Sequence, residues 1–171
     1  MLEMLCSIMG TMQPRRYRFT SSFNLAAPRE RVYDVLVDLE FYGEWWPQVR
    51  GVGKIDDDHA LVVCRSVLPY DLELALTAVS RATDLLEVEI DGPIRGWARY
   101  HLDVAPGSED DPDTSLRFEQ EVYAEAPLMV LASYVAKPLL SWNHHRMMRG
   151  AEKGLRALLE PGQASAATAA S

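Results

Sequence analysis

The segment from Pro138 to Leu159 is the feature that most limits the folds open to this chain. At about 100° per residue, a helix over this segment has one apolar side and one basic side. The apolar side is formed by Leu140, His144, Met147, Ala151, Leu155 and Leu158. The basic side is formed by Arg146, Arg149, Lys153 and Arg156. Because such a helix must bury its apolar side, we predict that it packs on a sheet, with His144 pointing into the space between them.

The residues before this segment supply the sheet, since several stretches alternate between apolar and polar side chains as strands do. The predicted strands cover residues 17–25, 49–55, 60–67, 72–78, 86–90, 94–104 and 116–122. Helical spacing after Pro28 predicts a short helix, and residues 40–46 predict a second that ends before Pro47. A further helical stretch begins at Pro127, and Pro138 predicts a break or kink before the main helix. Short turns between consecutive strands favour an antiparallel sheet, so the predicted class is α+β.

Composition and charge limit the class of partner. The chain has 171 residues, of which 48% are hydrophobic and 25% charged, as in an ordinary soluble domain. Its formal net charge of -8 argues against nucleic acid as a partner. No apolar run approaches the ~20 residues that span a bilayer. We predict one domain over residues 15–160, an N-terminal extension over 1–14 and a disordered tail over 161–171.

Four segments carry a resemblance to a known superfamily. They read YRFTSSFNLAAPRERVYDVLVDLEFYGEWWP, LPYDLEL, GWARYHL and SWNHHRMMRGAEKGL. Their order and spacing resemble the START/Bet v 1-like (SRPBCC) superfamily, and most closely its polyketide cyclase/dehydrase-type branch, over roughly residues 17–160. The resemblance implies a helix-grip fold, in which a curved antiparallel sheet wraps around a long C-terminal helix and two short helices follow the first strand. It also implies a deep apolar cavity between sheet and helix, but no particular reaction.

The candidate ligand-binding residues are those expected to face that cavity. They are Trp46, Tyr70, Leu74, Tyr100, Phe118, Gln120, Leu140, Asn143, His144, Met147 and Met148. His144 and Asn143 could bond a ligand carbonyl or hydroxyl, and Gln120 on an apolar strand face needs a polar partner. The plainer interpretation is packing, with His144 as a satisfied core histidine, Trp46 as a helix stop and the methionines as core filler.

Three functions of different class fit these residues. The first is the binding or carriage of a small hydrophobic molecule of lipid, polyketide, isoprenoid or quinone type. The second is a polyketide cyclase/dehydratase-like enzyme, with His144, Tyr100 and Asn143 as acid/base or oxyanion-stabilising groups. The third is a protein-interaction or stress-linked module. The residues offer no second strong acid or base on the inner faces, so we predict no catalytic residues.

The sequence predicts neither a metal site nor a cofactor. It contains no HExxH, no cysteine cluster, no G-x-S-x-G elbow and no phosphate-binding glycine loop. Its two cysteines, Cys6 and Cys64, are not expected to pair, which favours a reducing cytoplasm. The basic side of the main helix is predicted to be a solvated face, paired in part with Glu152 and Glu160. Peripheral contact with anionic lipid headgroups is its functional alternative.

Overall fold

Seven strands and three helices account for the part of the chain that the structure describes. The computed structural model describes residues 16–65, 71–108, 111–124 and 127–160, with side chains at 16–65, 71–105, 113–123 and 141–160. The strands are β1 (Arg16–Leu25), β2 (Val49–Lys54), β3 (His59–Arg65), β4 (Asp71–Ala82), β5 (Leu85–Asp91), β6 (Ile94–Ser108) and β7 (Asp111–Ala124). The helices are α1 (Arg29–Val37), α2 (Tyr42–Trp45) and α3 (Pro127–Leu159), with a 3-10 turn (Leu39–Phe41) before α2.

All seven strands join one curved antiparallel sheet in the order β1-β7-β6-β5-β4-β3-β2. The strands from β2 to β7 follow one another as neighbours, whereas β1 lies at the far edge beside β7. The connection from β1 to β2 must therefore span the width of the sheet, and α1, the 3-10 turn and α2 make that connection. The predicted α+β class and helix-grip architecture are confirmed.

Small side chains in the middle of the inner sheet face leave open space above it. Strand pairing puts one inward-facing row through Phe19, Gln120, Ala98, Val88 and Ala78. Because side chains alternate between the two faces, the neighbouring residues of these strands point outward. The alanines leave space above β4 and β6 that a larger apolar side chain would fill.

The C-terminal half of α3 packs on the core with Ala151 and Leu155 of the predicted side, but with Met148 and Leu159 in place of Met147 and Leu158. Its buried side chains are Met148, Ala151, Leu155 and Leu159. Leu158, which the pattern places on this side, is 46% exposed, so that prediction is wrong. Met147 is only half-buried. The cause is the contact of Gly154 with the backbone of Trp45, which brings the helix close to α2 and fixes its rotation.

The helix is also longer and more continuous than predicted. It runs from Pro127 to Leu159 without a break at Pro138, so the predicted break is wrong. Pro138 removes one N–H donor from the helix without ending it, and the alternative of a kink at this residue stays a prediction.

The basic side of α3 faces solvent as predicted. Arg146, Arg149 and Lys153 are exposed. Arg156 forms ion pairs with Glu152 at 3.0 Å and with Glu160 at 3.2 Å, as the sequence also predicts. Glu160 is almost buried and its Oε1 accepts the N–H of Ala26 at 2.8 Å. The end of α3 is thereby fastened to the segment that enters α1.

Candidate ligand-binding site

A cavity of about 690 Å³ lies between the inner face of the sheet and the segment from α1 to α2. Strands β2 to β6 form one wall, and α1, the 3-10 turn and α2 form the other. The interior is apolar, formed by Leu36, Val37, Leu39, Tyr42, Trp46, Val52, Ala60, Leu76, Ala78, Leu86, Val88, Ala98 and Tyr100. Among the described side chains of α3, none lines this cavity. Among the described side chains, the wall opposite the sheet therefore comes from α1, the 3-10 turn and α2, and the side chains of residues 127–140 lie outside the described ones.

Two tyrosine hydroxyls supply the polar groups of the interior. The Tyr42 hydroxyl donates a hydrogen bond of 2.7 Å to the carbonyl oxygen of Leu36, near the end of α1. The Tyr100 hydroxyl lies close enough to that of Tyr42 for each to influence the pKa of the other. Burial raises the pKa of both tyrosines well above the usual value, so both stay protonated at neutral pH. The free lone pairs of Tyr100 can accept a hydrogen bond from a ligand.

The mouth of the cavity is held by the turn between β2 and β3. Arg81 on β4 pairs with the Asp58 carboxylate at 2.9 Å and bonds the Asp57 carbonyl oxygen. The N–H of Ala78 donates to the Asp58 carbonyl oxygen at 2.8 Å. Tyr33 on α1 donates its hydroxyl to the Arg81 carbonyl oxygen at 3.0 Å. These bonds tie the turn, the sheet and α1 together around the opening.

The same rim is strongly acidic. Seven carboxylates line the cavity beside two permanent cations, Lys54 and Arg81. The carboxylates belong to Asp34, Asp38, Glu40, Asp56, Asp57, Asp58 and Glu87. The hydrogen bond from His59, at 2.8 Å, is the main cause that lowers the pKa of Asp56 below its usual value. With a net negative charge around the opening, an anionic ligand would be repelled and a neutral or cationic one would not.

His144 lies on the sheet and does not line the 690 Å³ cavity. Its ring stacks on Phe19, with 4.1 Å between centroids, and lies 6.0 Å from the ring of Phe118. Its Nε2 is buried without a hydrogen-bond partner in the described part of the chain. Burial, with a smaller contribution from His145, lowers the pKa of His144 to about 4. The imidazole is therefore neutral at pH 7, and a ligand contact of His144 stays a prediction.

The candidate residues fall into separate places. Trp46 and Tyr100 line the main cavity. Phe118 packs on Tyr100, with 5.0 Å between ring centroids, and Gln120 is half-buried between Phe19 and Ala98 in the strand register.

The other candidates lie away from that cavity. Leu74 belongs to a small apolar cluster with Ile90 and Val122, and Met148 lies in the main core. Asn143 and Met147 line a second, smaller pocket. Tyr70 and the side chain of Leu140 lie outside the described residues. The trio His144, Tyr100 and Asn143 is therefore not gathered around the cavity, and a ligand contact at each candidate stays a prediction.

Sequence reasoning missed Tyr42 and the acidic rim. Tyr42 follows Leu36 and Leu39 at intervals of three residues, a spacing that places all three on one side of a helical segment. That spacing is a signal that could have found Tyr42. The aspartates at positions 56–58 have the sequence pattern of an ordinary solvated turn. The ion pair of Asp58 with Arg81 joins residues more than twenty positions apart, and strand pairing brings them together, so the local pattern does not reveal it.

The described residues contain neither a metal-ligating cluster nor a membrane-spanning helix. Within the described ranges, no three His, Cys, Asp or Glu residues are grouped so that they could hold a metal ion. No helix in those ranges has the length and apolar character needed to cross a bilayer. Cys64 is a free thiol whose pKa burial raises to about 11, so it is unreactive at neutral pH. Cys6 lies outside the described residues.

Comparison with solved structures identifies the class of fold. A START superfamily protein from Mycobacterium smegmatis matches with a TM-score of 0.69 at 14% identity, covering 84% of this chain and 97% of that chain. The ZhuI aromatase/cyclase from Streptomyces sp. R1128 matches with a TM-score of 0.68 at 12% identity, covering 85% and 94%. A norcoclaurine synthase from Thalictrum flavum, in complex with a transition-state analogue, matches with a TM-score of 0.56 at 13% identity, covering 85% and 96%.

These matches establish a START/Bet v 1-like helix-grip fold, which confirms the resemblance seen in the sequence. No protein-family model matches the chain, and no curated protein sequence matches it. At such low identity the likeness shows the fold alone. The function must therefore be argued from the cavity of this chain.

Proposed function

We propose that this protein binds a small, uncharged hydrophobic molecule in the cavity between the sheet and the α1–α2 segment. The observation that carries the proposal is an apolar space of about 690 Å³ with a polar rim. Ligand pockets of proteins usually measure about 300–1,000 Å³ and combine apolar walls with a few placed polar groups. The START-like fold of the Mycobacterium smegmatis protein and its relatives agrees with this function.

The apolar wall supplies the free energy of binding. Burying about 300 Å² of apolar ligand surface at about 25 cal/mol per Å² gives about 7 kcal/mol before the entropy cost of association. A free energy of about 7 kcal/mol corresponds to a Kd of about 10 μM before that cost, so the affinity is weaker once the cost is included. Affinity of this order suits a carrier, which must both take up and release its ligand.

The polar groups select the chemical class of the ligand. The acidic rim disfavours fatty-acid carboxylates and phosphates, whereas the lone pairs of Tyr100 accept a hydrogen bond from a hydroxyl. A neutral molecule of isoprenoid, quinol or polyketide type with a hydroxyl group meets both conditions. We infer that such a ligand lies with its hydroxyl near Tyr100 and its apolar body along Val88 and Ala98.

A cyclase-like reaction is less well supported than binding. Aromatase/cyclase activity is named for the ZhuI protein, and synthase activity for the Thalictrum flavum protein, both of similar fold. In this chain, however, the raised pKa values of Tyr42 and Tyr100 make them hydrogen-bond donors or acceptors and not bases at neutral pH.

Filling the cavity tests the proposal. Binding of the neutral fluorescent probe N-phenyl-1-naphthylamine is measured for the wild type and for Ala98→Leu, whose larger side chain occupies the cavity. Because Ala75 lies on the exposed face of β4, Ala75→Leu is the matched control. We expect Ala98→Leu to weaken binding by about tenfold or more and Ala75→Leu to leave it unchanged. Equal affinity in all three proteins would overturn the proposed location.

Competition tests the predicted class of ligand. Decanol and decanoate have apolar tails of the same length but differ in charge. We expect decanol to displace the probe at about tenfold lower concentration than decanoate. In the double variant Glu40→Gln/Glu87→Gln, the difference between the two concentrations should be smaller, because less negative charge repels decanoate. Stronger displacement by decanoate would contradict the selection of neutral ligands.

A further inference from the structure

A second pocket, of about 270 Å³, collects three arginines from three different elements. Arg50 comes from β2, Arg65 from the end of β3 and Arg146 from α3. The side-chain amides of Gln48 and Asn143 line the same pocket. The chain as a whole carries a net charge of -8, so this gathering of cations is contrary to its average surface.

The positive charge of this pocket is largely unneutralised. Arg65 pairs with Asp71 at 3.3 Å. Among the described residues, no carboxylate pairs with Arg50 or Arg146, and the Arg146 guanidinium lies 5.8 Å from the centre of the Trp142 ring. Like charges in one pocket repel each other, and an anion bound between them would relieve that repulsion.

Gln48 adds a hydrogen-bond donor to the wall of the pocket. Its Oε1 is buried without a hydrogen-bond partner, and no bond to its side-chain amide is found within the described ranges. The amide lies against α3, where a Cβ on Gly150 would come within 2.6 Å of Oε1. Packing alone holds the amide at the pocket, and its NH₂ group is free to donate to a bound molecule.

We propose that this pocket binds a phosphate group, independently of the hydrophobic cavity. A guanidinium binds a phosphate through two parallel hydrogen bonds, and arginines approaching from three elements suit a tetrahedral anion better than a planar carboxylate. The pocket is larger than a bare phosphate, and Pro47 and Met147 complete its wall. The ligand is therefore a phosphate ester with a short carbon group attached, either a soluble metabolite or a lipid headgroup.

Titration with inorganic phosphate and glycerol 3-phosphate at constant ionic strength tests the site. Binding is followed by NMR through the shifts of the Gln48 side-chain amide and the Arg50 Nε–H. We expect Arg50→Gln and Arg146→Gln each to weaken binding by about tenfold. Arg149→Gln is the matched control, because Arg149 is exposed on the same helix but does not line the pocket. Its affinity should equal that of the wild type.

A gain of affinity gives a second, independent measurement. Asp71→Asn removes the carboxylate that competes for Arg65, so phosphate should bind about threefold or more tightly. The proposal is overturned if neither phosphate saturates the protein, or if Arg149→Gln weakens binding as much as Arg146→Gln. Either result would mean that the arginines act only as diffuse surface charge.

The source of the phosphate is decided by comparing soluble and membrane ligands. Phosphatidylcholine vesicles with and without phosphatidic acid are sedimented with the wild type and with the Arg50→Gln/Arg146→Gln double variant. Sedimentation that needs both phosphatidic acid and the two arginines identifies a lipid headgroup. Binding of glycerol 3-phosphate without sedimentation identifies a soluble ester. Either supports the site, and sedimentation that survives in the double variant contradicts it.

Discussion

His144 is a base whose charge state is decided by its surroundings. The ring lies on Phe19, and its Nε2 has no partner within the described residues, so a proton there would be poorly solvated. The pKa of about 4 follows mainly from this burial. A single buried imidazole of this kind makes the folded state sensitive to mild acid.

We predict that stability falls as the pH is lowered from about 6.5 to about 4, because there the unfolded chain binds a proton at residue 144 that the folded chain does not. The loss should be about 2 kcal/mol, allowing for the partial exposure of the ring. His144→Phe keeps an aromatic ring on Phe19 and removes this part of the pH dependence. Urea unfolding at pH 7 and pH 4.5 measures the difference. His145→Gln is the control and should keep most of the pH dependence, because burial contributes more than His145 to the lowered pKa of His144. An unchanged pH dependence in His144→Phe would refute the prediction.

The two cavity tyrosines should contribute unequally to stability. Tyr42 satisfies the Leu36 carbonyl, one of the last carbonyls of α1, which lack partners within the helix. Tyr42→Phe should therefore cost about 2 kcal/mol, since a buried acceptor loses its donor, and Tyr100→Phe about 1 kcal/mol. Chemical denaturation of both variants measures these values. A larger loss of stability in Tyr100→Phe would contradict the prediction that the Tyr42 hydroxyl makes the more stabilising hydrogen bond.

Strand alternation was enough to predict which residues share the inner face. Tyr100, Phe118 and Gln120 lie on it as the pattern indicates. The pairing of Tyr42 with Tyr100 was not predictable, because it joins residues 58 positions apart through the crossing of α1 and α2 over the sheet. Alternation gives the direction of a side chain but not the element that covers it.

At the scale of elements, the contact between α2 and α3 depends on a glycine. A Cβ on Gly154 would overlap the carbonyl oxygen of Trp45, which is backbone and cannot turn away. A Cβ on Gly150 would meet only the side-chain amide of Gln48. The two glycines lie one turn apart on the same helix, so they form a natural comparison.

We expect Gly154→Ala to destabilise the protein by about 2–4 kcal/mol, because α3 must move away from α2. Gly150→Ala should change stability by less than about 1 kcal/mol, since the higher helix propensity of alanine offsets the displacement of Gln48. Thermal unfolding of both variants gives the comparison. Similar losses at the two positions would show that Gly154 does not fix the distance between the helices.

The rotation of α3 explains where helical periodicity was insufficient. The pattern correctly selects Ala151 and Leu155 as core residues, but it prefers Leu158 to Leu159. Helical periodicity alone does not distinguish between two adjacent leucines near the edge of the apolar side. The close contact at Gly154 decides between them, and such a contact depends on the position of α2, which the helical pattern of α3 does not contain.

At the scale of the whole molecule, charge and apolar volume are divided between distinct regions. The acidic rim surrounds the 690 Å³ cavity, whereas the arginines surround the 270 Å³ pocket beside α3. The net charge of -8 describes neither region. The composition of the chain predicts solubility and disfavours nucleic acid, but the local fields that select ligands arise only once the strands are paired.

The core that holds the fold together shares Leu36, Tyr42, Leu86 and Tyr100 with the cavity that we propose binds the ligand, but other residues belong to only one of the two. Leu155 is fully buried in the main core and does not line the cavity. Ala98 lines the cavity and is only half-buried. Stability and binding should therefore respond to different substitutions.

We predict opposite outcomes for Leu155→Ala and Ala98→Leu. Leu155→Ala should lower the free energy of unfolding by about 3–4 kcal/mol, because it leaves a void in the packed core. The fraction that stays folded should bind the neutral probe with unchanged affinity. Ala98→Leu should abolish probe binding while unfolding at the same or a higher temperature, since it fills open apolar space. Thermal unfolding and probe titration of each variant measure both properties, and parallel loss of stability and binding in the two variants would mean that cavity and core are one unit.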